Sequence, residues 1–233
     1  MHEHLLRFSY FIALGVIPSL FLLFTFSPTR AAAQDDLDRR ISDFLHSHNW
    51  HDMNVPEVDG QTLHDLILQH HYTRALEIGT STGHSGIWMA WALKKTGGRL
   101  LTIDIDEGRQ RQALKNFEAV GLADIIDVRL GDAHTIVPSL EGPFDFVFSD
   151  ADKGWYKNYF DALLPKLEVG GCYTTHNVMP NGWNGEYLRY LQSLPGLETS
   201  VDTRGAVSPS VSSTRNRAAA IRKRAQFLPE ECP

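Results

Sequence analysis

The most constraining feature of this chain is an alternation of short apolar segments with amphipathic ones, which begins after residue 34. The apolar segments predicted as strands are residues 74–78, 99–103, 126–129, 144–149 and 172–175. Short, nearly continuous apolar strands separated by helices are typical of a parallel sheet that helices cover on both faces. The predicted fold class is therefore α/β, with a doubly wound, mostly parallel sheet of seven strands.

The last two strands of that sheet are predicted in the tail, at residues 198–202 and 218–221. A Ser-rich stretch that also contains Gly and Pro, residues 205–217, separates them, and no helical pattern fits inside it. Parallel neighbours need a long crossover, usually a helix. We therefore expect these two strands to form an antiparallel hairpin at one edge of the sheet.

The N-terminal 33 residues are set apart from this domain. Residues 8–26 are almost unbroken apolar sequence, and three alanines at 31–33 supply the small residues that a signal peptidase reads. The prediction is a cleaved signal peptide (1–33) that exports a domain of residues 34–233. Because the apolar run approaches the roughly 20 residues that span a bilayer, an uncleaved membrane anchor with a cytosolic domain is the alternative.

Charge and cysteine content exclude several functions. The chain has 22 Lys plus Arg against 28 Asp plus Glu, a net charge of -6 that is spread along the sequence. This balance disfavours a surface built to neutralise phosphate backbones, so no nucleic-acid partner is expected. The two cysteines, Cys172 and Cys232, form neither a disulfide framework nor a thiolate zinc site.

A glycine-rich loop follows the first predicted strand. Glu77 is followed by Gly79, Gly83 and Gly86, a spacing that differs from the Gly-x-Gly-x-x-Gly of dinucleotide sites. Glu77 would repel a phosphate and attract a cation, while Asp104, at the end of the second strand, could accept hydrogen bonds from ribose hydroxyls. The pattern predicts a nucleoside ligand that carries a positive charge and no pyrophosphate, and S-adenosylmethionine is such a ligand.

Three stretches together resemble a known family. They are residues 53–55 (Met-Asn-Val) followed by Gly60-Gln61, the glycine loop, and residues 144–153 (FDFVFSDADK). On these stretches the chain resembles the class I, S-adenosylmethionine-dependent O-methyltransferases of the catechol and caffeoyl-CoA type, which have a Rossmann-like fold. The resemblance extends roughly over residues 50–177.

The resemblance implies a set of cofactor contacts. Val55 would lie near the methionine carboxylate, Ser85 would bond the same carboxylate or cap its helix, and the turn at residues 131–134 would border the adenine. For His134 a surface or capping role is the alternative. The implied cofactor-binding residues are Val55, Glu77, Gly79, Ser85, Asp104, Ala133 and Asp150.

The reaction implied by the resemblance moves a methyl group from sulfur to an aromatic hydroxyl, with a divalent metal holding the acceptor oxygens. Asp150 and the pair at the end of the fifth strand, His176 and Asn177, would be the metal ligands. Lys153 would be the general base, and the alternative for Lys153 is an ordinary exposed lysine at a helix start.

His176 departs from the family pattern, which usually shows Asp-Asn at positions 176 and 177. Either Asp150, His176 and Asn177 hold a transition metal, or the metal is lost and His176 takes the phenol proton. A polar residue satisfied at a strand end is a third interpretation. Because Asp150 and Asn177 match the family, we expect a retained divalent metal, which need not be magnesium.

The acceptor is predicted to be a small aromatic hydroxyl compound, catechol-like or phenolic, rather than a coenzyme A ester, because no basic patch is evident. Aromatic and apolar residues that could close its pocket, or else belong to the core, are Trp50, Met53, Trp155, Trp183 and Tyr187. Two other functions are a non-catalytic S-adenosylmethionine-binding module and a nicotinamide-dependent oxidoreductase, which the glycine spacing disfavours.

Overall fold

A computed structural model describes residues 28–179, 184–202 and 218–223 of the chain. The apolar segment 8–26, Trp183 and Cys232 lie outside these residues. Within the described ranges no helix is both long and apolar enough to cross a membrane. The first helix begins at Pro28 and continues to Ser47, so it passes through the predicted domain boundary at residue 34.

The helices and strands alternate along the chain as the apolar pattern predicts. The strands are β1 (Arg74–Ile78), β2 (Arg99–Asp104), β3 (Ile126–Leu130), β4 (Phe144–Ser149), β5 (Leu167–Thr175), β6 (Leu197–Asp202) and β7 (Ala218–Lys223). The helices are α1 (Pro28–Ser47), α2 (Glu57–His70), α3 (His84–Thr96), α4 (Glu107–Val120), α5 (Ala133–Ser139), α6 (Tyr156–Leu163) and α7 (Gly185–Ser193).

The strand order across the sheet is β3-β2-β1-β4-β5-β7-β6. Strands β1 to β5 pair in parallel, and β7 pairs antiparallel with both β5 and β6 at the edge. The predicted α/β class with a mostly parallel sheet is confirmed, and its parallel part comprises five strands. The order reverses between β1 and β4, which is where a crevice opens at the carboxyl ends of the strands.

Two apolar layers sandwich the sheet. Alternate residues of one strand point to opposite faces, so Ala75 packs with α1 to α4 while Leu76 and Ile78 pack with α5 to α7. Burying each large apolar side chain contributes about 1.5–3 kcal/mol, so the layers supply the main driving force for folding. They also fix the strand ends that carry the site.

A close approach at Gly60 holds α2 against α3. A Cβ atom at this position would lie 2.2 Å from Cδ1 of the Trp88 indole, which is closer than any side chain tolerates. Leu63 and Ile67, one and two turns further along α2, are buried in the same layer. The contact therefore explains why a glycine stands at position 60 and places the first turn of α2 beside the sheet.

Candidate active site

A cleft of about 520 Å³ opens at the carboxyl ends of the parallel strands. Its walls contain six of the site residues predicted from sequence, namely Gly79, Asp104, Asp150, Lys153, His176 and Asn177. The remaining lining residues are Met53, Asn54, Ser81, Ile105, Arg109, Ala151 and Asp152. The topology thus brings together the ends of β1, β2, β4 and β5.

Asp104 is held by the backbone around it. Its Oδ2 accepts a hydrogen bond from the Ser81 N–H at 2.7 Å, and its Oδ1 accepts one from the Asp106 N–H at 2.8 Å. Each carboxylate oxygen has two lone pairs, so each keeps capacity for one more donor. This geometry leaves Asp104 able to accept hydrogen bonds from the two hydroxyls of a ribose.

Gly79 brings the loop after β1 close to the end of β4. Its φ is 107°, and a Cβ atom would lie 3.2 Å from the backbone at Asp150 and Ala151. Glycine is the residue that adopts this backbone conformation without steric cost. The close approach places the glycine loop beside the backbone that follows β4 and carries Asp150.

Glu77 does not face the cleft as the sequence predicts. Its side chain is fully buried, its Oε1 accepts from the Ser85 hydroxyl at 2.5 Å, and its Oε2 accepts from the Thr102 hydroxyl at 2.6 Å. Burial, supported by the charge of Asp150, raises the pKa of Glu77 to about 8 despite these hydrogen bonds. At neutral pH Glu77 is therefore mostly protonated, so the expected attraction of a cation by this carboxylate is not supported.

Ser85, Val55 and Ala133 also lie outside the lining. The Ser85 hydroxyl is bonded to Glu77, and Gly83 is the N-cap of α3, so the capping alternative for Ser85 is wrong. Val55 is buried in one apolar layer and Ala133 packs against the other. Met53 and Asn54, which precede Val55, line the cleft instead.

Two lining features had not been predicted. Ile105, which follows Asp104, is 71% exposed and offers an apolar surface beside the Asp104 carboxylate. Arg109 donates to both carboxylate oxygens of Asp52, at 2.6 and 3.0 Å, and so ties the loop before α2 to α4. The position of Ile105 directly after Asp104 was a usable sequence signal, whereas nothing in the sequence relates Asp52 to Arg109.

His176 lies between two carboxylates at the end of β5. Its Nε2 is 3.0 Å from Oδ2 of Asp59, and its Nδ1 is 3.3 Å from Oδ1 of Asp150 and 3.0 Å from Nδ2 of Asn177. The side chains of His176 and Asp59 are only 4% and 7% exposed. Asp59 belongs to the first turn of α2 and had not been predicted as a site residue.

The two carboxylates control the protonation of His176. Burial alone would lower the pKa of His176, but its hydrogen bonds and charge interactions with Asp150 and Asp59 raise the pKa to about 9. Burial would raise the pKa of Asp150, but His176 and Lys153 outweigh it and lower that pKa. At neutral pH the cluster therefore contains an imidazolium next to an ionised Asp150.

These residues do not fit the predicted metal site. In the part of the chain that the structure describes, no three or more His, Cys, Asp and Glu side chains are grouped as metal ligands. Nε2 of His176 faces Asp59 at 3.0 Å, and Nδ2 of Asn177 lies 3.0 Å from Nδ1 of His176 and 3.4 Å from Asp150, so the ring nitrogens and the amide are paired within the cluster. Asp150 is left as the single anionic donor, which is too little for a hard divalent cation.

Lys153 and Tyr156 complete the surroundings of Asp150. The ammonium of Lys153 lies 3.5 Å from Oδ1 of Asp150. The buried Tyr156 hydroxyl donates to the backbone oxygen of His176 at 2.9 Å, and burial together with the charge of Asp150 raises the pKa of this phenol. Tyr156 therefore stays protonated and holds the end of β5, a role that sequence reasoning missed.

Of the four described residues expected to close an acceptor pocket, Met53 alone lines the cleft, and Trp183 lies outside the described residues. His134 stacks on Trp155 with ring centroids 3.7 Å apart, and its Nε2 lies 2.8 Å from Asp152. Tyr187 is buried in an apolar layer, and the Trp50 indole donates to the backbone oxygen of Leu45. The core alternative therefore fits Tyr187, whereas the side chain of His134 is half-buried and lies outside the residues that line the cleft.

An O-methyltransferase family model matches residues 30–190 of the chain. This match covers well over half of the sequence, so the protein belongs to the O-methyltransferase family, as the motifs of the glycine loop and β4 predict.

Among curated proteins, the chain is similar to a catechol O-methyltransferase of Niastella koreensis, with 41% identity over 111 residues that cover 46% of this chain and 50% of the relative. It is also 34% identical to caffeoyl-CoA O-methyltransferase 1 of Eucalyptus globulus over 155 residues, or 64% of this chain and 61% of the relative. The chain thus spans about half to three fifths of the length of these relatives.

A solved structure of an O-methyltransferase from Bacillus cereus in complex with SAH has the same fold. It is 25% identical, the match covers 81% of this chain and 91% of that chain, and the TM-score is 0.64. The Rossmann-like methyltransferase fold is therefore confirmed for this protein.

Proposed function

We propose that the protein binds S-adenosylmethionine in the cleft and transfers its methyl group to a hydroxyl of a small catechol-like or phenolic acceptor. One observation carries the proposal. Asp104, the candidate ribose ligand, and the Asp150–His176 cluster line the same cleft on either side of Gly79. Membership of the O-methyltransferase family and the names of the similar proteins support the same reaction.

The cofactor occupies the β1–β2 side of the cleft. Asp104 accepts hydrogen bonds from the ribose hydroxyls, and the exposed Ile105 contacts the face of the base. Gly79 admits the cofactor close to the backbone, and the ionised Asp150 provides the negative charge near the sulfonium that Glu77 does not provide. In this assignment Asp150, and not Glu77, is the group whose charge attracts the sulfonium of the cofactor.

The acceptor occupies the side formed by Asp150 and His176, where His176 takes the proton. In the fraction of molecules whose His176 ring is neutral, the phenol oxygen gives its proton to Nδ1 of that ring and attacks the methyl carbon of the cofactor. The carbon–sulfur bond breaks with its electron pair remaining on sulfur. A base with a pKa of about 9 is well matched to a phenol, whose pKa is about 10.

Lys153 contributes charge rather than proton transfer in this proposal. Its ammonium pairs with Asp150 and so offers no lone pair to a phenol proton. A positive charge at this position stabilises the phenolate that forms before methyl transfer. Of the three interpretations of His176, we adopt the one in which the histidine acts as the base.

A titration separates this function from the alternatives. We expect calorimetry to show that the protein binds S-adenosylmethionine and does not bind NAD. Binding of NAD without binding of S-adenosylmethionine would indicate an oxidoreductase instead. Incubation with S-adenosylmethionine and catechol should then give an O-methylated product by mass spectrometry. A protein that binds the cofactor but yields no methylated product from catechol, caffeate or other diols would be the binding module instead.

For the N-terminal segment we propose export through cleavage of the 1–33 signal, with the membrane anchor as the alternative. The three alanines at 31–33 support cleavage. An anchored domain facing the cytosol would instead share a compartment with its methyl donor. N-terminal sequencing of natively expressed protein separates the two, because a chain that begins near Met1 and sediments with membranes would contradict cleavage.

A further inference from the structure

Asp59 is a buried carboxylate whose position a helix start alone does not explain. It lies in the first turn of α2, where the helix dipole favours an acidic residue, but its side chain is only 7% exposed. Removing a carboxylate from water is costly unless a charged or hydrogen-bonding partner compensates. That partner is Nε2 of His176, at 3.0 Å and 117 positions away in sequence.

The packing of α2 fixes this carboxylate in place. The next residue, Gly60, lies directly against the Trp88 indole, and Leu63 is buried in the same apolar layer. Asp59 is absent from the residues that line the cleft. Its hydrogen bond to His176, which does line the cleft, is the contact through which Asp59 can act on a reaction there.

The contact determines which nitrogen of His176 is free to accept a proton. A carboxylate only accepts hydrogen bonds, so Nε2 must carry a hydrogen atom that it donates to Asp59. Asp150 lies farther from the ring, at 3.3 Å from Nδ1. The neutral ring therefore keeps its hydrogen on Nε2, and its Nδ1 lone pair faces the cleft side of the ring, where Nδ2 of Asn177 lies 3.0 Å away and is the donor that an acceptor hydroxyl replaces.

We propose that Asp59 is a positioning residue for methyl transfer, which orients the His176 ring and fixes its hydrogen on Nε2. The proposal rests on the proposed function, in which His176 takes the acceptor proton. A fixed donor–acceptor pair behind a histidine is the arrangement that makes such a ring an effective base in other enzymes. Asp59 touches neither cofactor nor acceptor in this account.

The first test separates a positioning role from a structural one. In Asp59→Ala, kcat with catechol should fall by about 10²-fold, the lower range for general-base catalysis, while KM and Kd for S-adenosylmethionine stay within about twofold. Asp59→Asn, which keeps an acceptor oxygen, should retain more activity than Asp59→Ala. Asp65→Asn is the matched control, because Asp65 is an exposed residue of α2 that contacts His64 at 2.9 Å, and kcat should be unchanged.

The second test asks whether Asp59 acts through His176. In a His176→Gln background, Asp59→Ala should lower kcat no further, because the group it orients is gone. The proposal would be overturned if Asp59→Ala lowered kcat equally in the wild-type and His176→Gln backgrounds. It would also be overturned if weaker cofactor binding explained the whole loss of activity. A wild-type protein that binds S-adenosylmethionine without methylating any diol would instead count against the proposed function.

A third measurement does not depend on activity. Nitrogen-15 NMR of the imidazole should show an Nε2–H of His176 that exchanges slowly with water in the wild type and in Asp65→Asn. This signal should be lost or exchange rapidly in Asp59→Ala. An unchanged Nε2–H signal in Asp59→Ala would overturn the proposed contact even if catalysis were never observed.

Discussion

The Ser85 hydroxyl donates to the carboxyl group of Glu77 at 2.5 Å, in a fully buried position behind the glycine loop. Thr102 donates to the other oxygen of the same carboxyl group. The three side chains join β1, β2 and α3 at the base of the cofactor side of the cleft. Glu77 therefore supports the glycine loop from behind and is not among the residues that line the cleft.

The raised pKa of Glu77 makes stability depend on pH. Because this pKa is about 8 in the folded protein and 4.5 in the reference state, the folded protein binds more protons between these values. The contribution of Glu77 to the free energy of unfolding is fully present below about pH 4.5. As the pH rises from there through 8, this contribution is lost by about 1.4 kcal/mol per pH unit.

We expect Glu77→Gln, which mimics the protonated side chain, to lose less stability than the wild type between pH 5.5 and 8.5. Urea unfolding at three pH values measures this difference. Parallel stability profiles for the two proteins would show that Glu77 is ionised in the folded state.

Asp104 should dominate recognition of the ribose. Replacing it by alanine removes the acceptor of two ribose hydroxyls and should weaken S-adenosylmethionine binding by roughly 1–3 kcal/mol, the range for hydrogen bonds to charged groups. Asp124→Asn is a suitable control, because Asp124 is an exposed partner of Lys94 outside the cleft. If Asp104→Ala and the wild type bound S-adenosylmethionine with equal affinity in calorimetry, Asp104 would not be a cofactor-binding residue.

His176 should set the pH dependence of the reaction. The neutral form of the ring is the base, and its pKa is about 9. We expect kcat/KM with a phenolic acceptor to rise about tenfold per pH unit below 9 and to level off above it. His176→Gln should lose both the activity and this rise, whereas a flat profile from pH 6 to 9 would exclude His176 as the base.

The contact between Gly60 and Trp88 should be intolerant of a larger residue. Gly60→Ala places a methyl group 2.2 Å from Cδ1 of the indole, so either α2 or Trp88 must shift. Overpacking of this kind costs about 1–3 kcal/mol, and the shift would also move Asp59. Gly154→Ala, where the nearest atom would be at an ordinary 3.6 Å, should cost little by comparison in the same unfolding experiment.

Local sequence patterns account for much of this architecture. Apolar runs locate the strands, glycine spacing locates the loop, and Asp104 and Asp150 lie at strand ends, where ligand-binding residues of α/β sheets are found. Helix α5 was not predicted, because it is short and contains Pro138. A proline inside a helical stretch normally argues against a helix.

The relationships that define the chemistry are not local. Asp59 and His176 are 117 residues apart, and the tertiary fold brings the first turn of α2 to the residue that follows β5. The orientation of Glu77 was missed because burial on both faces of a parallel strand gives no alternation from which the face can be deduced. The prediction of a metal site considered Asp150, His176 and Asn177 alone. It did not include Asp59, whose carboxylate pairs with the imidazole of His176.

Transfer of a labelled methyl group from S-adenosylmethionine to catechol, measured with and without a strong chelator, tests the central claim most directly. We expect the product to form at the same rate in both conditions, and His176→Gln to reduce that rate by about 10²-fold or more. Product formation that stops with the chelator and returns with an added divalent ion would contradict the histidine-base account, and no product under any condition would contradict methyl transfer itself.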